Sequence, residues 1–263
     1  MNLQELIDET NELLYYNSNS WKVIESKQKE LLNILSPSTS ISKINHSTIK
    51  KYIQILKAKG NSPNTINAKT AYFKHILKYA FHNNLISNMP FIPTFKTKNR
   101  KDKFLNNSEI LQIIQWCRHN KQTELLKIIL IGLYTGLRIN NILSLQPDNI
   151  QNNNLQIYDK KVNSYYTLPI SRKIRYILNP ETFIPFEINY QRCYYLFNQM
   201  KKELLLDKNI TIHTLRHSFC SFLVQKDVPI PIIQRLANHK SINTTLRYTH
   251  TKFEQLKNAV DML

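Results

Sequence analysis

The chain has 263 residues, 42% of them hydrophobic, and its 36 Lys and Arg against 18 Asp and Glu give a formal net charge of +18. The longest apolar run, residues 128–133, is too short to cross a membrane, and the acidic start MNLQELIDET excludes a secretory signal. Three scattered cysteines argue against a disulfide framework and favour a reduced, cytoplasmic protein. The positive charge favours a polyanionic partner, nucleic acid first, although a lysine-rich composition would also produce it.

The N-terminal third of the chain has the apolar spacing of helices. Ser47 can cap a helix whose apolar positions Ile49, Ile53 and Leu56 lie four and three residues apart, and Gly60 suits the end of that helix. We therefore predict a helix between Ser47 and Gly60.

A second helix is predicted directly after it, because Ser62 offers an N-cap and Pro63 fits a first helical turn. One face of this helix is apolar and consists of Phe73, Ile76, Leu77, Ala80 and Phe81. Three lysines fall largely off that stripe, namely Lys69, Lys74 and Lys78. They are candidates for contact with DNA, and an ordinary solvated face is an equally good interpretation.

The segment NMPFIPTFKTKNRKDKF separates two helical regions, because Pro90 and Pro93 break helices. Its basic residues are Lys96, Lys98, Arg100, Lys101 and Lys103, opposed only by Asp102. A basic linker can follow a phosphate backbone, and it can also be a soluble hinge. The predicted organisation is a helical domain at 1–88, a basic linker at 89–104 and a second domain at 105–263.

The second domain is also predicted to be mainly helical. Ser108 marks a helix start, and ELLKIILIGLY reads as a buried helix. The stretch LQIYDKKVNSYYTLPI differs, because β-branched and aromatic residues flank a polar centre, which predicts an antiparallel hairpin at roughly 154–159 and 164–169. The fold class is therefore mainly α with a small β-hairpin.

The stretch HTLRHSFCSFLV carries two histidines and an arginine on one predicted helix face. His213 and His217 have the spacing of a zinc-binding helix, but Thr214 stands where a metalloprotease has its glutamate, and no third ligand is evident. His213 with Arg216 is better explained as an anion site, because a guanidinium matches phosphate and a histidine can move a proton. The other face should point into the core and consists of Leu215, Phe219, Phe222 and Leu223.

The stretch PIIQRLANHKSINTTLRYTH indicates two short helices. Pro231 begins the first, and Asn238 can end it in a left-handed conformation directly before His239. Ser241 can cap the second, which is predicted to carry Tyr248.

Upstream, YTGLRINNILSL places Arg138 at a helix start. Together with the His213-x-x-Arg216 box, His239 and Tyr248, this order and spacing closely resembles the tyrosine recombinase (phage integrase) family, whose pattern is Thr-Gly-x-Arg, His-x-x-Arg, Leu-Gly-His and a late tyrosine. The stretch SPNTINAKTAYFKHILKYAFHNNLI also resembles the N-terminal core-binding, SAM-like domain of that family. The resemblance covers nearly the whole chain and is closest in kind to Xer-type or small mobile-element recombinases without an added arm-binding domain.

The resemblance implies a catalytic set, which consists of Arg138, Lys161, His213, Arg216, His239 and Tyr248. The two arginines would bind the scissile phosphate, Tyr248 would be the nucleophile, His213 would assist proton transfer and His239 would hydrogen-bond the phosphate. The family's hairpin lysine falls on Lys161, with Lys160 as its rival, and would protonate the leaving 5′-oxygen.

The chemistry agrees with these roles. Arginines neutralise the charge that builds on an attacked phosphodiester. A tyrosine with a pKa near 10 needs a base or a cationic pocket to act as nucleophile, and the leaving alkoxide needs an acid. Because the site supplies these groups and the chain lacks a P-loop motif, we expect neither a metal, nor a cofactor, nor ATP.

Two residues depart from the family pattern. Asn141 stands where an acidic residue is usual three positions after the first arginine, and it cannot offset cationic charge. This leaves the positioning of the arginines and the activity in question. Asn238 replaces the family's glycine, and asparagine is the next best residue for a left-handed cap.

The sequence thus predicts a site-specific DNA recombinase whose partners are double-stranded DNA and, in a homotetramer on paired sites, three further copies of the chain. Two alternatives remain, a catalytically weakened DNA-binding regulator and a type IB topoisomerase-like enzyme. The final predicted helix has an apolar stripe of Phe253, Leu256, Val260 and Leu263, which we expect to dock either on a neighbouring protomer or back on its own domain.

Overall fold

The computed structural model describes residues 1–15, 21–97, 103–159 and 164–248. The chain divides into two compact units, Met1–Arg100 and Lys101–Leu263. The finer division predicted from the sequence, with a separate linker at 89–104, stays a prediction. In the described parts of the chain, no helix combines the length and the apolar character that crossing a membrane requires.

The described residues of the N-terminal unit form four α-helices, which are α1 (Leu3–Leu14), α2 (Trp21–Leu35), α3 (His46–Ala58) and α4 (Pro63–His82). Side-chain caps explain where α1, α3 and α4 begin, and Asn2 caps α1. Asn45 caps α3 by accepting from the backbone N–H of Thr48, so α3 starts before Ser47, the predicted cap. Ser62 caps α4 with Pro63 in the first turn, as predicted.

The core of this unit is formed by the buried faces of its helices. On α4 the buried side chains include Phe73, Ile76, Leu77 and Ala80, which confirms most of the predicted stripe. Phe81 was wrongly placed in that stripe, because it is 40% exposed and its ring packs instead beside His82. Tyr72 is buried as well.

The segment after α4 packs on the same unit as far as it is described. Ile92 is buried in the N-terminal core. Asn67 of α4 makes a two-way hydrogen bond with the backbone of Phe95, donating to its carbonyl at 2.8 Å and accepting from its N–H at 2.9 Å. The first part of the predicted linker is therefore tied to α4.

The C-terminal unit is mainly helical with one small sheet. Its helices are α5 (Asn107–His119), α6 (Thr123–Thr135), α7 (Ile139–Leu143), α8 (Tyr190–Glu203), α9 (Thr214–Gln225), α10 (Ile230–Leu236) and α11 (Ile242–Leu246). The antiparallel sheet has the order β1 (Ile150–Gln151), β2 (Asn154–Asp159) and β3 (Ser164–Pro169). The predicted hairpin is confirmed to the residue, with Leu155 paired to Leu168.

Helix α6 lies at the centre of this unit and packs on α9. Ile128, Ile129 and Ile131 are fully buried, so ELLKIILIGLY is the buried helix that was predicted. The two helices approach closely at Gly132, where an added Cβ would lie 3.1 Å from a methyl carbon of Leu215. This contact fixes α9 against the end of α6, where the candidate site lies.

Three predicted helix boundaries need correction. Helix α5 is capped by Asn106 in a capping box with Glu109, and therefore begins before Ser108. Helix α10 begins at Ile230, one residue before Pro231. Helix α11 ends at Leu246, so Tyr248 follows the helix and is not carried on it.

Candidate active site

The site begins at a glycine turn between α6 and α7. Helix α6 ends at Thr135, and Gly136 follows with a left-handed φ of 67°. An added Cβ at Gly136 would lie 2.4 Å from a ring carbon of Phe219, so this position requires glycine. Arg138 is the N-cap residue of α7, as the sequence predicted.

Arg216 is the buried arginine of the site. It lies on α9, is 3% exposed, and donates to the carbonyl of Gly136 at 2.8 Å and to the carbonyl of Ala237. Burial, followed by the charge of Arg138, lowers its pKa, and a guanidinium remains cationic at neutral pH even so. The backbone thus holds Arg216 next to a second cation.

Arg138 is the more accessible of the two arginines, with 34% of its side chain exposed. Its Nη1 lies 3.5 Å from Oδ2 of Asp159, the last residue of β2. The same carboxylate oxygen accepts a hydrogen bond of 2.9 Å from Nδ2 of Asn238. Asp159 therefore joins the glycine turn, the sheet and the end of α10.

His239 is placed by a left-handed residue, as predicted. Asn238 has φ 48°, and the N–H of His239 then donates to the carbonyl of Gln234 at 3.0 Å. The ring is buried, and its Nδ1 lies 2.8 Å from Oγ1 of Thr245. Burial, followed by nearby arginine charges, lowers the pKa of His239 to about 4. His239 is therefore neutral at pH 7 and can donate from Nε2 when Nδ1 accepts from Thr245.

Tyr248 lies in the same pocket and is 7% exposed. It packs with Cys220, which is fully buried, and its ring stacks on His239 with 6.3 Å between centroids and 8° between planes. Its hydroxyl lies 2.5 Å from Nδ1 of His217. The hydroxyl therefore has a hydrogen-bonding partner that can accept its proton.

His213 is the N-cap residue of α9 and is exposed. Its ring meets that of His217 edge to face, with 4.7 Å between centroids. Within the described ranges, no three or more His, Cys, Asp and Glu side chains are grouped as a metal would require. The described residues therefore offer no third ligand for a zinc ion held by His213 and His217.

The hairpin lysines Lys161 and Lys160 lie outside the described residues, between Asp159 and Ser164. In the sequence, Lys160 directly follows Asp159, whose carboxylate contacts Asn238 in the site. Their roles stay predictions.

The predicted DNA-contacting lysines have different environments. Lys74 and Lys78 on α4 are exposed, as is Lys96. Lys69 is half-buried and forms an ion pair with Glu30 at 2.5 Å, so its charge is partly neutralised within the N-terminal unit. The remaining three, Lys98, Arg100 and Lys101, lie outside the described residues.

Two site residues were missed from the sequence. Asp159 was not considered, and His217 was given no place in the predicted catalytic set. Asp159 has one sequence signal, an acidic residue at an inward-facing position of a strand whose burial alternates. His217 has none beyond its helical spacing from His213, because its contact with Tyr248 spans 31 residues.

Comparison with known proteins finds matches to one family in two parts of the chain. Residues 2–100 match the profile of the phage integrase SAM-like domain, and residues 185–255 match that of the phage integrase family. The tyrosine recombinase XerA of Saccharolobus solfataricus is 26% identical over 181 residues, which cover 66% of this chain and 60% of that protein.

Solved structures share the fold. The Tn1549 transposon integrase (residues 82–397) in complex with circular intermediate DNA has a TM-score of 0.78 at 21% identity and is covered over 99% of both chains. A lambda integrase tetramer bound to a Holliday junction has a TM-score of 0.79 at 16% identity, over 97% of this chain and 80% of that one.

The chain spans only part of several curated relatives. Four of them, three phage integrases and the S. solfataricus XerA, are matched over 60% to 65% of their own lengths.

Proposed function

Because the chain belongs to the phage integrase family of tyrosine recombinases, we propose that it cleaves and rejoins duplex DNA at specific sites through a 3′-phosphotyrosine intermediate. The observation that carries this proposal is the convergence of Arg138, Arg216, His239 and Tyr248 on one pocket of the C-terminal unit. Two cations, a neutral imidazole and a tyrosine hydroxyl are the groups that such a transesterification needs.

In the proposed first step, the oxygen of Tyr248 attacks the scissile phosphorus and the 5′-oxygen leaves. The bond from phosphorus to the 5′-oxygen breaks as the bond to the tyrosine oxygen forms, and no net bond energy is lost. Arg138 and Arg216 neutralise the charge on the non-bridging oxygens. His239, neutral at pH 7, donates a hydrogen bond from Nε2 to one of these oxygens.

Two protons must move in this step. The tyrosine proton passes to His217, whose Nδ1 lies 2.5 Å from the hydroxyl, and the exposed His213 beside it assists the transfer. Lys161, or its neighbour Lys160, protonates the leaving 5′-oxygen. Rejoining runs through the same groups in reverse, with a 5′-hydroxyl as the nucleophile.

The proposed partner is double-stranded DNA, and the proposed assembly is a homotetramer on two duplexes. The net charge of +18 and the exposed lysines Lys74, Lys78 and Lys96 suit a phosphate backbone. The similar fold of a lambda integrase tetramer on a Holliday junction supports the stoichiometry.

The test is covalent capture on DNA. Nicked duplexes covering the DNA that flanks the gene are incubated with the protein, because loss of the short fragment beyond the nick traps the intermediate. We expect an adduct that resists detergent with the wild type, none with Tyr248→Phe, and one with the control Tyr176→Phe, which alters a 72% exposed tyrosine. DNA binding should survive Tyr248→Phe, because every cation is retained.

The alternatives give different results in the same experiment. A DNA-binding regulator would bind the duplexes without any adduct. A type IB topoisomerase-like enzyme would form an adduct and relax supercoiled DNA, but would not recombine two paired sites. An adduct that persists in Tyr248→Phe would reject Tyr248 as the nucleophile, and activity that is lost in excess EDTA and restored by zinc would support the metal interpretation of His213 and His217.

A further inference from the structure

The active-site region contains a buried carboxylate to which the proposed mechanism gives no role. Asp159 ends β2, its residue is 7% exposed, and its side chain is 10% exposed. A buried carboxylate is unfavourable unless it is paired or hydrogen-bonded. The groups that pair with or hydrogen-bond to Asp159 therefore explain why a carboxylate is buried at this position.

The contacts of Asp159 reach two parts of the site that are distant in sequence. Its Oδ2 lies 3.5 Å from Nη1 of Arg138 and 2.9 Å from Nδ2 of Asn238. Arg138 starts α7, and Asn238 has the left-handed φ that precedes His239. One oxygen atom thus bridges the phosphate-binding arginine and the residue that orients the neutral histidine.

The site also has an electrostatic need for this carboxylate. Arg138 and Arg216 are close enough for the charge of one to lower the pKa of the other. Without a phosphate between them, the two guanidinium groups repel each other. Asn141, in the first turn of α7, brings no charge, and its amide instead donates to the hydroxyl of Tyr166 at 3.4 Å.

We propose that Asp159 is a positioning residue for the cleavage reaction. It holds the Nη1 side of Arg138, so that the exposed remainder of the guanidinium faces the phosphate, and it fixes Asn238 and with it His239. It also offsets part of the arginine repulsion, a task that the neutral Asn141 cannot perform. This inference rests on the proposed function, because its effect is on cleavage.

The first part of the test removes the charge and keeps the shape. Asp159→Asn should slow single-turnover adduct formation on the nicked duplex by roughly tenfold or more, the size of one charge-assisted hydrogen bond. Binding of the duplex should change little. Asp207→Asn is the matched control, because Asp207 lies in the same unit and its carboxylate pairs with Lys103 at 2.8 Å.

The second part tests whether a carboxylate at position 141 can replace the one that Asp159→Asn removes. Asn141 donates to the hydroxyl of Tyr166 at 3.4 Å. Burial raises the pKa of Tyr166, and the charges of Arg216, Arg138 and Asp159 act on it as well, so an acid at position 141 would lie near the same charges. The double variant Asp159→Asn with Asn141→Asp should therefore recover much of the lost rate. Recovery by a second-site charge is not expected if Asp159 only stabilises the hairpin.

The third part changes the substrate. A methylphosphonate at the scissile position removes one negative charge, so cleavage depends less on a well-placed arginine. The ratio of wild-type to Asp159→Asn rates should shrink on this substrate, as it should for Arg138→Ala. A general folding defect would give the same ratio on both substrates.

The outcomes separate the two proposals. If the wild type forms no adduct, the proposed function fails and this inference fails with it. If the wild type forms an adduct and Asp159→Asn matches its rate, the inference alone is overturned. Equal defects on both substrates, without recovery in the double variant, would also overturn it and would leave Asp159 as a structural residue.

Discussion

Replacing Gly136 with alanine should destabilise the C-terminal unit by about 1 to 5 kcal/mol, with a central value of about 3 kcal/mol, which is a large fraction of the stability of most domains. Two costs add. The φ of 67° is unfavourable for any residue with a Cβ, by roughly 1 to 2 kcal/mol. The new Cβ would also lie 2.4 Å from a ring carbon of Phe219, and displacing a packed side chain costs about 1 to 3 kcal/mol. The lower entropy of unfolded alanine offsets about 0.4 to 1 kcal/mol.

Gly60 is a matched control for the steric part of this cost. It has a similar φ of 74°, but an added Cβ there meets nothing within 4 Å. Gly60→Ala should therefore destabilise the N-terminal unit by no more than about 1.6 kcal/mol. The assay is urea unfolding followed by hydrogen exchange and mass spectrometry, because its peptides report the two units separately.

A double-mutant cycle isolates the ring contact. In a Phe219→Ala background the obstructing ring is gone, so Gly136→Ala should cost only what Gly60→Ala costs. Cleavage should fall as well in the single variant, because the carbonyl of Gly136 accepts from Arg216. The reasoning is refuted if Gly136→Ala is as mild as Gly60→Ala, or if the cycle shows no coupling with Phe219.

Three further predictions concern protons. The folded chain lowers the pKa of His239 from 6.5 to about 4, so the unfolded chain binds a proton at this histidine at a higher pH than the folded chain does. The contribution of His239 to stability is therefore full above about pH 6.5 and is lost as the pH falls toward 4. In His239→Gln, the urea midpoint of the C-terminal unit should change less over this pH range. His217→Gln should slow adduct formation by roughly 100-fold by removing the acceptor for the Tyr248 proton, whereas an unchanged rate at every pH would exclude His217 from that role. Lys161→Ala should slow cleavage, and sulfur at the 5′-bridging position should restore it because a thiolate leaves without an acid; equal defects on both substrates would direct attention to Lys160.

The sequence predicted the local structure where the pattern is local. The strands at 154–159 and 164–169 were found to the residue, because residues typical of strands flank a polar centre and specify both strands. The cap at Ser62 was found for the same reason. The cap of α3 was missed, because Asn45 and Thr48 satisfy each other in a capping box that begins before Ser47.

The sequence suggested candidate residues for the site but not the contacts between them. Motif spacing brought Arg138, Arg216 and Tyr248 to attention, and the structure places their elements around one pocket. No local rule reveals that Asp159 reaches Asn238 across 79 residues, or that His217 meets the hydroxyl of Tyr248 across 31. These contacts depend on how α9, α10 and the sheet pack together, which periodicity alone does not specify.

Because all three cysteines are buried in one unit, the rate at which a thiol reagent labels them reports how often that unit opens. All three thiols lie in the C-terminal unit and are buried, and burial raises their pKa to about 12 for Cys117 and about 11 for Cys193 and Cys220. A thiol-specific dye can therefore label the chain only when that unit opens. Cys117 and Cys193 belong to the large core and report its global opening, whereas Cys220 packs against Tyr248. Labelling of Cys220 in molecules whose Cys117 and Cys193 stay unlabelled thus measures how fast Tyr248 leaves its pocket, with and without DNA.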